Sequence, residues 1–247
     1  MLVFSSHKGL RRLPKATKNA IIASLECTKY LTTEEKRDLG IFAGTSLSYI
    51  EHTLRFMSDA YNATPRLVSP MMFPNTVLNS ISGWVSIILK SHAINTTINT
   101  GNNSGVDAMK NAIEYLESGI LRYALVIVTE EISPAVIESD LSSSHKYTED
   151  TIAFLLEYTE DLQDGILIED IYSKYTSINN FQLYIKEKWL DVDEYTIHKV
   201  DIDRNNMLSC NAINNLYEMI DNELNNKVIL SFNNQNRMFS AIKIRRI

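Results

Sequence analysis

Arg122 to Thr129 reads RYALVIVT, and every residue from Ala124 to Val128 is apolar. A strand without alternation has no face to give to water, so this run predicts a central strand covered on both sides. Thr76 to His92 makes a matching demand. Val77, Leu78, Ile81, Trp84, Val85, Ile87, Ile88 and Leu89 leave that stretch apolar nearly all round, and a helix of that kind has to be packed on several sides. Together the two stretches call for stacked layers of helix and sheet. With 247 residues, 45% of them hydrophobic, the chain can bury a sizeable core as one domain over 1–247, or at most as two closely joined halves.

Between these stretches lies INTTINTGNNSGVDA, Ile94 to Ala108. It opens with residues of high strand propensity, turns through Gly101 and Gly105, and continues with helical spacing at Val106, Met109, Ile113 and Leu116. A strand, a tight turn and a helix start push the tip side chain out beyond the sheet, where a helix N-terminus stabilises negative charge. Many enzymes put a nucleophile there. Here the tip is Asn102, whose amide is not a nucleophile.

The residues from Asn99 to Ala108 (Asn99, Thr100, Gly101, Asn102, Asn103, Ser104, Gly105, Val106, Asp107, Ala108) resemble the elbow D-T-A-C-S-S-G-x-D-A of the beta-ketoacyl synthases, the condensing enzymes of fatty acid and polyketide synthesis. Asn102 falls at the position of the acyl-accepting Cys. A second block, SPMMFPNTVLNSISG from Ser69 to Gly83, is similar to the family's S-P-x-x-x-P-x-T-x-x-N-x-x-x-G and stands at the family's usual distance before the elbow. LGIFAGTS, Leu39 to Ser46, matches its early G-x-x-x-G-T strand. What the resemblance implies is a thiolase-like, layered αβαβα fold of the α/β class.

Around these blocks, Pro14 and the residues after it read as a helix with Ile21, Ile22, Leu25 and Thr28 on one side. Leu47 to Ala60 reads as another, with Ile50, Leu54 and Met57 inward. Asn62 to Pro74, with three prolines, reads as a loop. Ser104 to Ser118 is a second inward helix. In the second half, Thr151–Tyr158, Gly165–Tyr172 and Tyr195–Ile202 read as strands, and Asn180–Leu190 and Met207–Leu224 as helices, the latter with Ile213, Leu216, Ile220 and Leu224 in line. VILSFNNQNRMFSAIKI closes the chain as two strands and resembles the family's final hairpin, with Phe232 and Asn236 kept and the glycines gone. No internal sequence repeat is visible, and the second half reads as shortened.

An active ketosynthase carries a thiol and two imidazoles from H-G-T and N-S-x-x-G-H motifs. The thiol position holds Asn102, and His7, His52, His92, His145 and His198 stand in neither context. His198, in YTIHKVD, reads as a structural strand histidine. The resemblance therefore points to a chain length factor, the Cys-less subunit that pairs with an active ketosynthase in type II polyketide systems, here of the short form found in aryl polyene pathways. On that reading Ile94, Asn95, Thr96, Thr97, Ile98 and Asn99 form the strand at the dimer dyad. Met71, Met72, Phe73 and Thr76 project toward the partner's acyl tunnel and limit product length by bulk. Core filling is the plainer reading of Met71, Met72 and Phe73.

Two other functions are open at this level. Asn102 could serve an autonomous malonyl decarboxylase, or Ser104 with Asp107 a thioester hydrolase; alternatively the chain is a purely structural interaction module. The net charge of −6 argues against a nucleic-acid footprint. Lys8, Arg11, Arg12, Lys15 and Lys18 make a basic cluster, read either as a solvated helix face or as a docking patch for an acidic acyl carrier protein. Cys27 and Cys210 lack metal or redox spacing and suggest a reducing compartment. No signal pattern or bilayer-length apolar run is present, so cytoplasm is the expected location, with no cofactor, metal or membrane contact.

Overall fold

The computed structural model describes residues 10–62, 64, 66, 68–139, 149–161, 165–191, 195–202, 210–221, 228–234 and 238–247. His7, Lys8, His145 and Asn236 lie outside these residues, as do the side chains of Arg11 and Phe232.

The apolar run becomes β3 (Tyr123–Glu130), buried from Ala124 onward. It is flanked by β1 (Gly40–Gly44), parallel to it, and by β4 (Asp150–Glu157), antiparallel to it. On the far side of β1 lies β2 (Asn95–Ile98), also parallel, so the first sheet runs β2-β1-β3-β4 with β2 at an edge. Alternate residues of β3 face opposite ways, as the pleat requires. Leu125 and Ile127 pack with Leu39 and Ile41 against α1 (Lys15–Cys27) and α4 (Ser80–Leu89). Ala124, Val126 and Val128 face the other layer, where α5 (Ser104–Glu117) and α8 (Cys210–Asp221) lie between the two sheets.

The second sheet is ordered β5-β8-β7-β6, built from β5 (Ile166–Tyr175), β6 (Thr196–Ile202), β7 (Val228–Asn234) and β8 (Met238–Arg246). Its inner residues Ile171, Ile242 and Ile244 share one core with Met109, Leu116, Ile213 and Leu216. Its outer face is covered by α7 (Ile178–Lys188), through Phe181 and Ile185 against Tyr172, Phe239 and Ala241. From one side to the other the layers are therefore helix, sheet, helix, sheet, helix, as expected.

The two halves share one plan. β1, α5, β3 and β4 in the first half correspond in order and direction to β6, α8, β7 and β8 in the second: a parallel pair linked through a helix, then an antiparallel strand. The difference is the length before the helix. Residues 45–103 separate β1 from α5, and they hold α3 (Ile50–Asn62), a 3₁₀ segment (Pro70–Thr76), α4 and β2. Only residues 203–209 separate β6 from α8. That gap is what shortens the second half. Two short helices escaped the sequence reading: α2 (Thr33–Arg37), begun by a capping box between Thr32 and Glu35, and α6 (Pro134–Ser139).

Four expectations change. Gly105, read as part of the elbow turn, is the second residue of α5, so Gly101 alone makes the turn. Pro70–Thr76 winds as a 3₁₀ segment across the end of the stretch read as a loop and the first residue of the stretch read as a helix, which itself begins only at Ser80. Helix α3 forms, but none of its residues is buried, and Leu54 and Met57 point outward with Met57 60% exposed. Helix α4 is packed through Ile81, Val85 and Leu89, yet Ile87 is 59% exposed, so it does have an open face.

Candidate functional site at the elbow and the adjoining sheet edge

The turn between β2 and α5 is built by its own short side chains. Gly101 takes φ +68°, a left-handed conformation that glycine adopts without a Cβ penalty. Ser104 latches the turn: its hydroxyl donates to the Gly101 carbonyl at 2.6 Å and accepts the Thr100 N–H at 3.0 Å. Thr100 donates its hydroxyl to Asp107, in the first turn of α5. The main chain then turns into the helix at Asn103, and Asn102 stands at the tip, 8% exposed. Asn103 is buried as well, and its amide donates to Ser173 Oγ on β5 at 3.1 Å, tying the turn to the second sheet. Asn103 Oδ1 and the nearby strand residue Ser240 Oγ are buried without a hydrogen-bond partner. Ser240 lies directly across from Ser173 in the register of β5 and β8.

Beneath the elbow, the end of β1 leaves no room. A Cβ on Gly44 would lie 2.5 Å from the Ser104 carbonyl oxygen, so strand and helix start are in backbone contact. The next residues, Thr45 to Ser48, form a tight loop gripped by the buried carboxylate of Glu130, at the end of β3. Glu130 accepts the N–H of Ser46, the N–H of Leu47 at 2.9 Å, and the hydroxyls of Thr45 and Ser48 at 3.4 and 3.3 Å. Ser46 passes the constraint on, because its hydroxyl donates to Gly101 O at 2.7 Å and its carbonyl accepts Asn99 Nδ2 at 3.0 Å. Sequence reasoning missed Glu130. The one available signal was an acidic residue ending an otherwise apolar, doubly covered strand, a position where a carboxylate must find donors.

Chemically, the tip can hydrogen-bond but cannot attack a thioester. Ser104 is fully buried and its hydroxyl is spent on the turn, which gives it the latch's role and not a nucleophile's. The group of three or more His, Cys, Asp and Glu residues that a metal would need is absent among the described residues.

Beside the elbow, β2 is an edge strand, with Asn95 and Asn99 exposed and Ile94, Thr96, Thr97 and Ile98 half-buried. Helix α4 is pinned along it by Ser82, whose hydroxyl meets Thr97 Oγ1 at 2.6 Å and whose carbonyl accepts Asn95 Nδ2 at 2.9 Å. Next to α4 the 3₁₀ segment holds Met71 and Phe73 outward, 65% and 58% exposed, with Met72 and Thr76 half-buried. Thr76 is fixed by its hydroxyl bond to Phe73 O at 2.8 Å, and its carbonyl accepts Thr53 Oγ1 of α3 at 3.2 Å. The Phe73 ring leans on Phe56 of α3, centroids 5.9 Å apart. Apolar side chains on α3, the 3₁₀ segment and α4 thus stay exposed beside an open strand edge.

His52, on α3, is half-buried. Burial pulls its imidazole below its ordinary pKa; the charges of Arg55 and Lys18 act the same way, and those of Glu131 and Glu51 oppose them. Its Nδ1 has no hydrogen-bond partner. Of the basic residues near the start that are described, Arg12 lies 3.7 Å from the Met71 sulfur, Lys15 pairs with Glu149, and Lys18 is half-buried. His198 is exposed on the edge strand β6. Among the described residues no helix is long and apolar enough to cross a membrane.

The fold is shared with known proteins. The ishigamide ketosynthase/chain length factor superposes with a TM-score of 0.78 at 17% identity, covering 98% of this chain and 83% of that one. A beta-ketoacyl synthase from Burkholderia phymatum STM815 gives 0.74 at 14% identity, covering 98% and 84%. A ketosynthase in complex with its chain length factor from Xenorhabdus doucetiae gives 0.63 at 15% identity, covering 96% and 79%. A search of curated proteins returns no match. The model of the beta-ketoacyl synthase N-terminal domain matches residues 9–170, which take in all three sequence blocks and the entire elbow. The chain belongs to the beta-ketoacyl synthase family.

Proposed function

We propose that this chain is a non-catalytic chain length factor: it pairs with an active ketosynthase and helps shape the acyl tunnel of that partner. The observation that carries the reading is a fully built elbow with an amide at its tip. Gly101, Ser104, Asp107 and the Gly44 contact are all in place around Asn102, so the architecture of the family's acylation site is kept while its nucleophile is lost.

The pairing surface in this reading is β2, Ile94 to Asn99, which offers unpaired backbone groups along the outside of the first sheet. Met71, Met72, Phe73 and Thr76 would reach the partner's tunnel from the neighbouring 3₁₀ segment. The outward posture of Met71 and Phe73 supports this over core filling, because a core methionine would be covered by its own chain. Solved relatives described as a ketosynthase with its chain length factor, and as an acyl-carrier protein in complex with its ketosynthase, lend the same support. The carrier protein would meet this chain only through the assembled pair, and no cofactor is required.

The test is co-expression with the ketosynthase encoded nearest to it, followed by size-exclusion chromatography with mass determination, each subunit also being run alone. A one-to-one heterodimer that condenses acyl groups only as a pair is the expected result. Within that pair Met72→Ala should lengthen products by an extender unit. A chain that stays monomeric or self-paired in the presence of the ketosynthase would overturn the reading.

A further inference from the structure

We infer that Glu130 is a positioning residue for product length, acting through the loop Thr45 to Ser48 on the segment that faces the partner. The inference rests on the pairing reading above and deepens it. Glu130 touches neither the elbow tip nor the 3₁₀ segment, yet it holds the root of both.

The loop it grips has two outputs. On one side Ser46 binds Gly101 O through its hydroxyl and Asn99 Nδ2 through its carbonyl, while the Thr45 N–H donates to Ile98 O at 3.2 Å. The loop thereby fixes the end of β2 and the elbow. On the other side the chain leaves the loop into α3. Ser48 is anchored both to Glu130 and, at 3.0 Å, to the Thr129 carbonyl, and its oxygen accepts the Glu131 N–H at 2.9 Å. Glu51, one residue into α3, accepts the Ser133 hydroxyl at 2.6 Å. The direction in which α3 departs is therefore set at the loop. The 3₁₀ segment is held between α3, through Thr53 and Phe56, and α4, through the Ser80 hydroxyl on Asn75 Oδ1 at 3.4 Å, so a shift of α3 at the loop moves one of the two supports of Met71, Met72 and Phe73.

Helix α3 has no fully buried residue, so the polar root carries a large share of its orientation. A carboxylate accepting two main-chain N–H groups and two hydroxyls constrains four consecutive residues at once, Thr45 to Ser48. Charge-assisted bonds of this kind are shorter and stronger than neutral ones.

Replacing Glu130 with Gln keeps the shape but turns an NH₂ toward main-chain N–H groups, so one side of the grip is lost. In the purified heterodimer, Glu130→Gln should broaden the product-length distribution so that at least one neighbouring length rises several-fold, while Kd for the ketosynthase stays within about threefold. A residue that served stability alone would lower the yield of complex and leave the distribution of the folded complex unchanged; that result overturns the inference. Ser46→Ala removes only the hydroxyl link to Gly101 and should broaden the distribution less. If Glu130→Gln does not fold and Ser46→Ala gives the wild-type distribution, the inference is likewise overturned. Met72→Ala separates this outcome from failure of the pairing reading. Should Met72→Ala lengthen products while both other variants leave them unchanged, the positioning role falls and the tunnel role stands. If wild type forms no heterodimer, the pairing reading itself has failed.

Discussion

Substituting Gly44 with Ala tests how rigidly the sheet and the elbow are joined. The new Cβ would lie 2.5 Å from Ser104 O, 2.7 Å from Ser104 C and 2.9 Å from the Gly105 Cα, whereas ordinary contact starts at 3.4 Å. The helix start must therefore retreat by roughly 0.9 Å. All three obstacles are backbone, so no side-chain rotation relieves them. Gly44 cannot yield either, because it is held in register to Ile98 on one side and Val128 on the other. Overpacking of a buried site costs about 1–3 kcal/mol, and a backbone-on-backbone clash belongs at the top of that range. For a chain of this size about 3 kcal/mol lowers Tm by roughly 6–12 °C. Gly83, in α4, is the control: a Cβ there meets nothing within 4 Å. Ala is favoured over Gly in a helix by about 0.5–1 kcal/mol, so Gly83→Ala should raise Tm by roughly 1–4 °C. Thermal melts followed by circular dichroism on the two variants and wild type, in parallel, give the comparison. A Gly44→Ala protein melting within about 2 °C of wild type would refute the rigid joint.

Two further outcomes follow from the site. Asn102→Ala should leave the condensing rate of the pair within about threefold of wild type, a change of under ~0.7 kcal/mol in the barrier; a collapse of activity would instead mark the amide as a participant in chemistry. His52 is the basis of a pH prediction. Its folded-state pKa lies below its unfolded value, chiefly through burial, so the unfolded chain binds the proton more readily. Stability is then fully present above about pH 7 and declines as pH falls through the ordinary histidine range near about 6.5. The groups around it on α1, α3 and the end of β3 are Lys18, Glu51, Arg55 and Glu131. His52→Gln should flatten that decline in denaturant midpoints measured from pH 7.5 to 5.5; an unchanged slope would show that His52 is not its source.

The layered fold was readable because two stretches allowed no other solution. RYALVIVT could only be central, and Gly101 marked where the chain turned from strand to helix. Other features were hidden for physical reasons. Ile50, Leu54 and Met57 repeat at helical spacing, and that pattern is the same whether the covering surface belongs to this chain or to another molecule. The same holds for Ile87 on α4. Glu130 was invisible because its donors lie far from it in sequence, at Thr45 to Ser48, and are brought to it only by the pairing of β1 with β3. The correspondence between the halves likewise rests on strand direction and order, which leave no trace in residue identity.

The order of the second sheet bears on how the chain can be made. β4 and β5 are consecutive in sequence, separated only by residues 158–165, yet they belong to different sheets. β5 pairs with β8 alone, and β8 is the last of its sheet to leave the ribosome. Throughout synthesis of α7, β6, α8 and β7, the nascent chain therefore carries β5 with no native neighbour to hydrogen-bond. The strand nearest to hand is β4, and a local hairpin between the two closes a far shorter loop than the native pairing does. The native order thus requires β5 to wait for β8 while a shorter closure lies open to it, and slowing translation after β5 would lengthen that wait.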